Sequence, residues 1–300
     1  MSAATVIAIT GATGFTGRHV VRAVRRQYPD ARVQALVRTA EAGLTLEREG
    51  VVPVAGDLHD GASLDRLLAG AHVLLNIASL GFPWVDSLFA AIGRAASLRR
   101  GVFVSTTAIL TTLPVRSKPL REHGERLVRE SGIDWTLLRP TMIYGTPDDR
   151  NIIRLIALVD RLPIVPVPVP RARQQPVHVA DVANAVVEVL RHPATVGRAY
   201  NIAGGAPLTL KALVEETAAA LGRRRTILPL PFEPLHAAAR LYAGLVSHPR
   251  ITVEQIERLR EDKAFPYDDA ARDFGYAPRT FRDGVADEVR LYRARRAGTS

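Results

Sequence analysis

Short apolar runs alternate with longer stretches whose apolar positions recur every three or four residues through the first 140 residues. The runs at 6–10, 33–37, 51–54, 73–76, 102–105 and 135–138 lack polar alternation and predict strands buried on both faces. The amphipathic stretches predict helices over 17–28, 40–49, 63–68, 85–96 and 120–131, with Pro29, Gly50 and Gly132 at element ends. Strand and helix in regular alternation predict a doubly wound α/β fold with a parallel sheet. Past Arg139-Pro140 the texture changes. The closely spaced prolines of LPIVPVPVP (162–170) remove backbone donors and fix an extended chain, at most an edge strand. A helix over 181–190, a strand over 199–202 and helices over 210–221 and 253–261 follow. In 234–247, Leu235, Ala238, Tyr242 and Leu245 share a helical face that packs on this part of the chain or meets a membrane surface.

The first strand runs directly into GATGFTG (Gly11 to Gly17), and a helical pattern begins at its end. Strand, glycine-rich turn and helix in that order form a phosphate cradle. Gly11 permits the tight turn, Gly14 lets backbone approach a pyrophosphate, and Gly17 brings helix against strand. With Thr13, Phe15 and Thr16 they are the candidate dinucleotide-binding turn, spaced Gly-x-x-Gly-x-x-Gly. A Rossmann-like domain over 1–145 is therefore expected, with parts of 175–203 returning to it. The remainder, mainly 146–300, is expected to form a smaller C-terminal substrate lobe.

The loops after the next strands refine this picture. The second strand ends in Arg38 and no acid stands there, which favours a ribose 2′-phosphate and hence NADP, with NAD still possible. Asp57 and Leu58 follow the third strand, where a carboxylate can meet the adenine amino group. Asn76 and Ala78 follow the fourth, where small residues let backbone approach ribose and nicotinamide.

Charge and composition change little. The net charge is +10, from 40 Lys and Arg against 30 Asp and Glu. The densest basic runs, 223–225 and 290–296, carry no groove-reading motif and no interleaved aromatics, so nucleic acid is not an expected partner. No run of eighteen apolar residues predicts a membrane span, although peripheral contact stays open. With no cysteine and a strand starting near the N-terminus, a cytoplasmic protein is expected. The eight histidines show no ligand-type spacing, and no metal is expected. Oligomeric state is open.

GATGFTG, GDLHD (56–60), LLNIAS (74–79), FVSTTA (103–108), SGIDWTLLRPTMIYG (131–145), QPVHVADVANAV (175–186) and AYNIAGGAPLTLKALVEETAAALG (199–222) resemble the atypical and extended short-chain dehydrogenase/reductase superfamily, in its epimerase/dehydratase-like branch. The resemblance implies an NAD(P)-binding oxidoreductase or epimerase. It places a hydroxyl after the fifth strand, where Ser105 meets the cofactor and Thr107 best fits the catalytic group. It also implies that Pro140, Thr141 and Met142 approach the nicotinamide through backbone, while His178 and Asp181 pack and cap. The family's Tyr-x-x-x-Lys is missing: Ser117 and Arg121 hold those positions. Arg121 can bind ribose hydroxyls but does not exchange protons near neutrality. Lys118, His123 and Tyr144 are the remaining candidates for an acid/base. Phe82 and Trp84 either line a substrate pocket or belong to the core, and Arg150, Arg171 and Arg173 are candidates to meet a diphosphate. The expected substrate is a small carbonyl, alcohol or sugar nucleotide. The alternative is a dinucleotide-binding sensor or accessory protein with little turnover.

Overall fold

Alternate residues of each apolar run face opposite sides of one sheet, and both sides are covered by helices. The computed structural model describes residues 5–298 apart from 114, 116, 169–171, 235, 238–239 and 241–259. In chain order the Rossmann-like part contains β1 (Val6–Thr10), α1 (Phe15–Gln27), β2 (Arg32–Val37), α2 (Ala40–Arg48), β3 (Val52–Ala55) and α3 (Gly61–Leu68). It continues with β4 (Val73–Asn76), α4 (Val85–Arg94), β5 (Arg100–Val104), a 3-10 turn (Thr107–Leu110), α5 (Lys118–Arg129) and β6 (Asp134–Pro140). Then follow β7 (Ile143–Tyr144), α6 (Ile152–Arg161), β8 (Ile164–Pro168), β9 (Val177–His178), α7 (Val179–Glu188), β10 (Arg198–Ile202), α8 (Leu210–Ala220) and β11 (Thr226–Leu230). Among the described residues α9 (Asp268–Phe274) and α10 (Phe281–Ala297) complete the chain.

The seven-stranded sheet has the order β10-β6-β5-β4-β1-β2-β3, parallel throughout. Strand order reverses between β1 and β4, so the crevice beyond their carboxyl ends is the topological switch point. Ile7, Ile9, Val33, Ala35, Val73, Leu75, Val102 and Val104 face one side and pack with the buried faces of α1 and α7. Ala8, Leu36, Leu74, Phe103 and Leu137 face the other, under residues of α3, α4 and α5. Period-two alternation of side-chain direction explains how one apolar run feeds two cores.

A third cluster joins α6, α8, α10 and the inward residues Val165 and Val167 of β8. Here β8 pairs in parallel with β11, and the short β7 pairs with β9. The proline-rich run thus holds a strand that, among the described residues, pairs with β11 alone. Prolines 166 and 168 are tolerated because the neighbouring edge needs no donor from them. The sequence pattern does not read α6, α9, α10 or β11. The expected helix over 253–261 and the face of Leu235, Ala238, Tyr242 and Leu245 fall almost wholly outside the described residues; Arg260 lies in a turn.

Candidate functional site

Gly11 sits at φ 71° after β1, a left-handed conformation that glycine adopts without steric cost. A Cβ on Gly11 would lie 2.7 Å from the backbone nitrogen of Ala78, and one on Gly17 only 1.9 Å from the carbonyl oxygen of Gly11. The turn, the start of α1 and the loop after β4 are therefore in backbone contact. Gly14 caps α1 with no side-chain acceptor, and the first turn holds no acid. Its leading N–H groups and positive end face the crevice without an internal anion, which fits a pyrophosphate. Thr13 contributes its carbonyl to Nε of Arg18 at 3.0 Å, which braces the turn.

At the switch point, Oγ1 of Thr10 donates to Oδ1 of Asn76 at 2.6 Å, and Nδ2 of Asn76 donates to the carbonyl of Ala78 at 2.9 Å. Asn76 is fully buried, so its side chain fixes the loop and leaves the backbone around Ala78 to line the crevice. Arg38 is exposed just past β2 and makes no side-chain hydrogen bond or ion pair among the described residues. Asp57 turns the chain after β3 by accepting from the backbone N–H of His59 at 2.9 Å. Leu58 is half-buried against the core under α3 and α4.

Beyond β5 the polar groups interlock. Oγ of Ser105 donates to Oε1 of Glu125 on α5 at 2.8 Å. Arg139 of β6 reaches both oxygens of the same carboxylate, and Arg129 donates to Oε2 at 3.1 Å. Burial opposes ionisation of Glu125, but the Arg139 fork and the Ser105 hydroxyl outweigh it and hold the carboxyl below its usual range. Thr107 is buried in the 3-10 turn and donates weakly to the carbonyl of Pro140 at 3.3 Å. Thr141 is locked by its N–H to the Ile202 carbonyl and its hydroxyl to that of Gln175, and Met142 accepts from the N–H of Val177 at 3.0 Å. Ser105, Thr107, Pro140 and Met142 thus gather at neighbouring strand ends beside the switch point.

The acid/base candidates are otherwise engaged. Lys118 donates to the carbonyl of Thr111 at 2.7 Å. His123 accepts from Arg126 on Nδ1, so its Nε2 carries the proton given to Asp86 at 2.7 Å. Tyr144 is 1% exposed; burial foremost, with Asp181 nearby, raises its phenol far above the ordinary value. It packs against His178 and Phe281. His178 caps α7 through Nδ1, and burial with Arg279 lowers it to about 4. Asp181 lies one turn inside and receives Nε and the backbone N–H of Arg279. Arg121 packs over the loop after β4, where a Cβ on Gly81 would come within 2.9 Å of its Cγ. Trp84 belongs to the core, whereas Phe82 is 55% exposed. Arg150 is exposed, Arg173 ties its backbone to Asp262 and Lys263, and Arg171 lies outside the described residues.

Sequence reading missed Glu125 as the hub of the β5–β6 ends. Its only signal was a lone acid on the inner face of an otherwise strongly basic helix. Among the described residues no three His, Asp or Glu side chains group to hold a metal, and no helix is long and apolar enough to cross a membrane.

The chain is similar to known proteins. The chain is 34% identical over 198 residues to ceramide reductase of Caulobacter vibrioides, covering 63% of this chain and 62% of that relative. It thus spans less than two thirds of that reductase. It is 30% identical to (4-alkanoyl-5-oxo-2,5-dihydrofuran-3-yl)methyl phosphate reductase of Streptomyces griseus, over 96% of this chain and 99% of the relative. The crystal structure of gox2253 superposes with a TM-score of 0.79 at 23% identity, covering 97% and 98% of the two chains, a likeness of fold. The family described as NAD(P)H-binding matches residues 11–193, and with the uncapped glycine turn at the switch point this shows that the chain belongs to that family.

Proposed function

We propose that the protein is an NADPH-using reductase, or an epimerase-like enzyme, with a non-standard active site. The observation that carries it is the uncapped end of α1 at the switch point, with exposed Arg38 one strand away. Residues 1–145, with the returning segments of 175–203, would hold the dinucleotide, and mainly 146–300 the substrate. Gly11, Gly14, Phe15, Thr16 and Gly17 would bind the pyrophosphate through backbone. Arg38 would take the 2′-phosphate, Asp57 and Leu58 the adenine. A bound reduced nicotinamide would supply hydride to a carbonyl carbon, and the alkoxide so formed would take its proton from water. Thr107 would polarise that carbonyl's oxygen, its proton turning from the weak contact to Pro140.

The apolar exposure around this end supports a substrate with an aliphatic part. Phe82, Leu110 and Leu120 are 55%, 44% and 41% exposed, on the loop after β4, the 3-10 turn and the first turn of α5. The relatives' names, a ceramide reductase and an alkanoyl-bearing phosphate reductase, agree with that class. A second reading, a dinucleotide-binding sensor or accessory protein, is favoured by Ser117 and Arg121 at the family's tyrosine and lysine positions.

Fluorescence titration tests cofactor choice. NADPH is expected to bind more tightly than NADH, and Arg38→Asp to weaken NADPH about 10- to 100-fold while sparing NADH, the value of a charge-assisted contact. Equal affinity for both coenzymes in the parent removes the 2′-phosphate argument. Thr107→Ala is expected to lower kcat by about 100-fold on long-chain ketones with NADPH affinity retained. Undiminished turnover excludes the hydroxyl's role, and a parent that binds NADPH yet reduces no ketone favours the sensor.

A further inference from the structure

The two basic runs noted in the sequence, seventy residues apart, meet at one end of the third cluster. Arg223 and Arg296 both reach the carboxylate of Asp160 at the end of α6, at 3.8 and 2.7 Å. Arg225 donates to the carbonyls of Val159 and Asp160 at 2.6 and 2.8 Å, and Arg293 to that of Leu221 at 2.6 Å. Four guanidinium groups thus crowd the carboxyl ends of α6 and α8, and Asp160 is the carboxylate two of them share. Capping helix carbonyls accounts for where these arginines sit. It leaves these groups at the surface, since Arg223, Arg293 and Arg296 are exposed, as are Arg161 and Arg224 beside them.

From this collar, β8 and β11 run out side by side. The register pairs Ile164 with Thr226, Pro166 with Leu228 and Pro168 with Leu230. Val165 and Val167 point into the cluster, so the alternate set forms the outer face. On it Ile164 is 55% and Leu228 49% exposed, and Pro166 is exposed between them. A face of Ile, Leu and Pro with one Thr lacks the aromatic platforms that single-stranded nucleic acid needs. The like charges around it oppose pairing with a second copy. An apolar face collared by arginines matches the boundary of an anionic bilayer, where headgroups answer the guanidinium groups and acyl chains the aliphatic ones.

We propose that the outer face of β8 and β11, with its arginine collar, is a peripheral docking surface for anionic phospholipid membranes. The protein would rest there reversibly. Co-sedimentation tests this with vesicles of phosphatidylcholine alone or with one-third phosphatidylglycerol. The intact protein is expected to partition onto the anionic vesicles only, and to be released as ionic strength rises from about 0.1 to about 1 M. Arg223→Gln with Arg224→Gln is expected to weaken binding by about 25-fold, near fivefold per charge. Ile164→Ser with Leu228→Ser is expected to weaken it by at least tenfold. Unchanged melting temperatures would show that both variants fold. Equal binding to neutral vesicles, undiminished binding by both variants, or preference for duplex DNA over anionic vesicles would each overturn the proposal.

Discussion

Glu125→Ala is expected to destabilise the fold by about 3–5 kcal/mol, the cost of stripping one partner from a buried ion pair. The carboxylate is 1% exposed and receives Ser105, Arg139 and Arg129. The Arg139 side chain is 17% exposed and would be left without its counter-charge beneath the end of β6. Arg129, at 45% exposed, turns to water at little cost. Urea denaturation checks this, with Glu125→Gln falling between parent and Ala because it keeps the volume and one acceptor. The same site predicts an acid limb. The folded pKa lies below the ordinary 4.5, so its contribution is complete above 4.5 and is lost as pH falls through the folded value. A loss under 1 kcal/mol for the Ala variant would show that the network contributes geometry and not stability.

Glu288→Gln is expected to stabilise the protein by about 2–4 kcal/mol near pH 8 and to be neutral near pH 5. Glu288 on α10 is fully buried, and its Oε2 accepts the N–H of Gly145 at 3.0 Å. Its Oε1 and Oδ2 of Asp149 are the two carboxyl oxygens of this pair with no donor, while Oδ1 of Asp149 accepts from Asn151 at 2.6 Å. A buried carboxyl with a second carboxyl beside it is favoured in its neutral, protonated form. Burial first, then the hydrogen bond to Asp149, pushes Glu288 up to about 10. A raised folded pKa means that stability is full below the ordinary 4.5 and declines as pH rises towards 10. A glutamine amide donates permanently to Asp149 and still accepts from Gly145, so it removes the cost of retaining the proton. Denaturant midpoints between pH 5 and 9 decide it: a parent with flat stability, and no gain in the variant, would exclude the retained proton on Glu288.

Neither group was legible along the chain. Glu125 reads as one more acid in a charged helix, and Glu288 sits in a stretch, 281–297, whose basic residues mask its apolar face. Buried polar groups acquire their meaning from what faces them, and Ser105, Arg139 and Asp149 come from other elements. Tyr144 shows the converse. Its phenol is chemically suited to catalysis, but packing against His178 and Phe281 withdraws it from solvent. Lys118 and His123 likewise had the right chemistry, and hydrogen bonds to Thr111 and Asp86 account for them.

The parallel sheet was written in uninterrupted apolar runs, because a strand covered on both faces cannot afford polar alternation. The glycine turn was equally local, since residues 11–17 meet chiefly one another and the adjoining loop. Position in space decided the rest. The prolines of 163–168 look like an extended connection until β11 pairs with Ile164–Pro168, and arginines at 223 and 296 look like scattered charge until both reach Asp160. Short-range patterns fix elements because their causes lie within a few residues. Burial, shifted proton affinity and charge density arise between segments far apart, and only the folded chain brings those together.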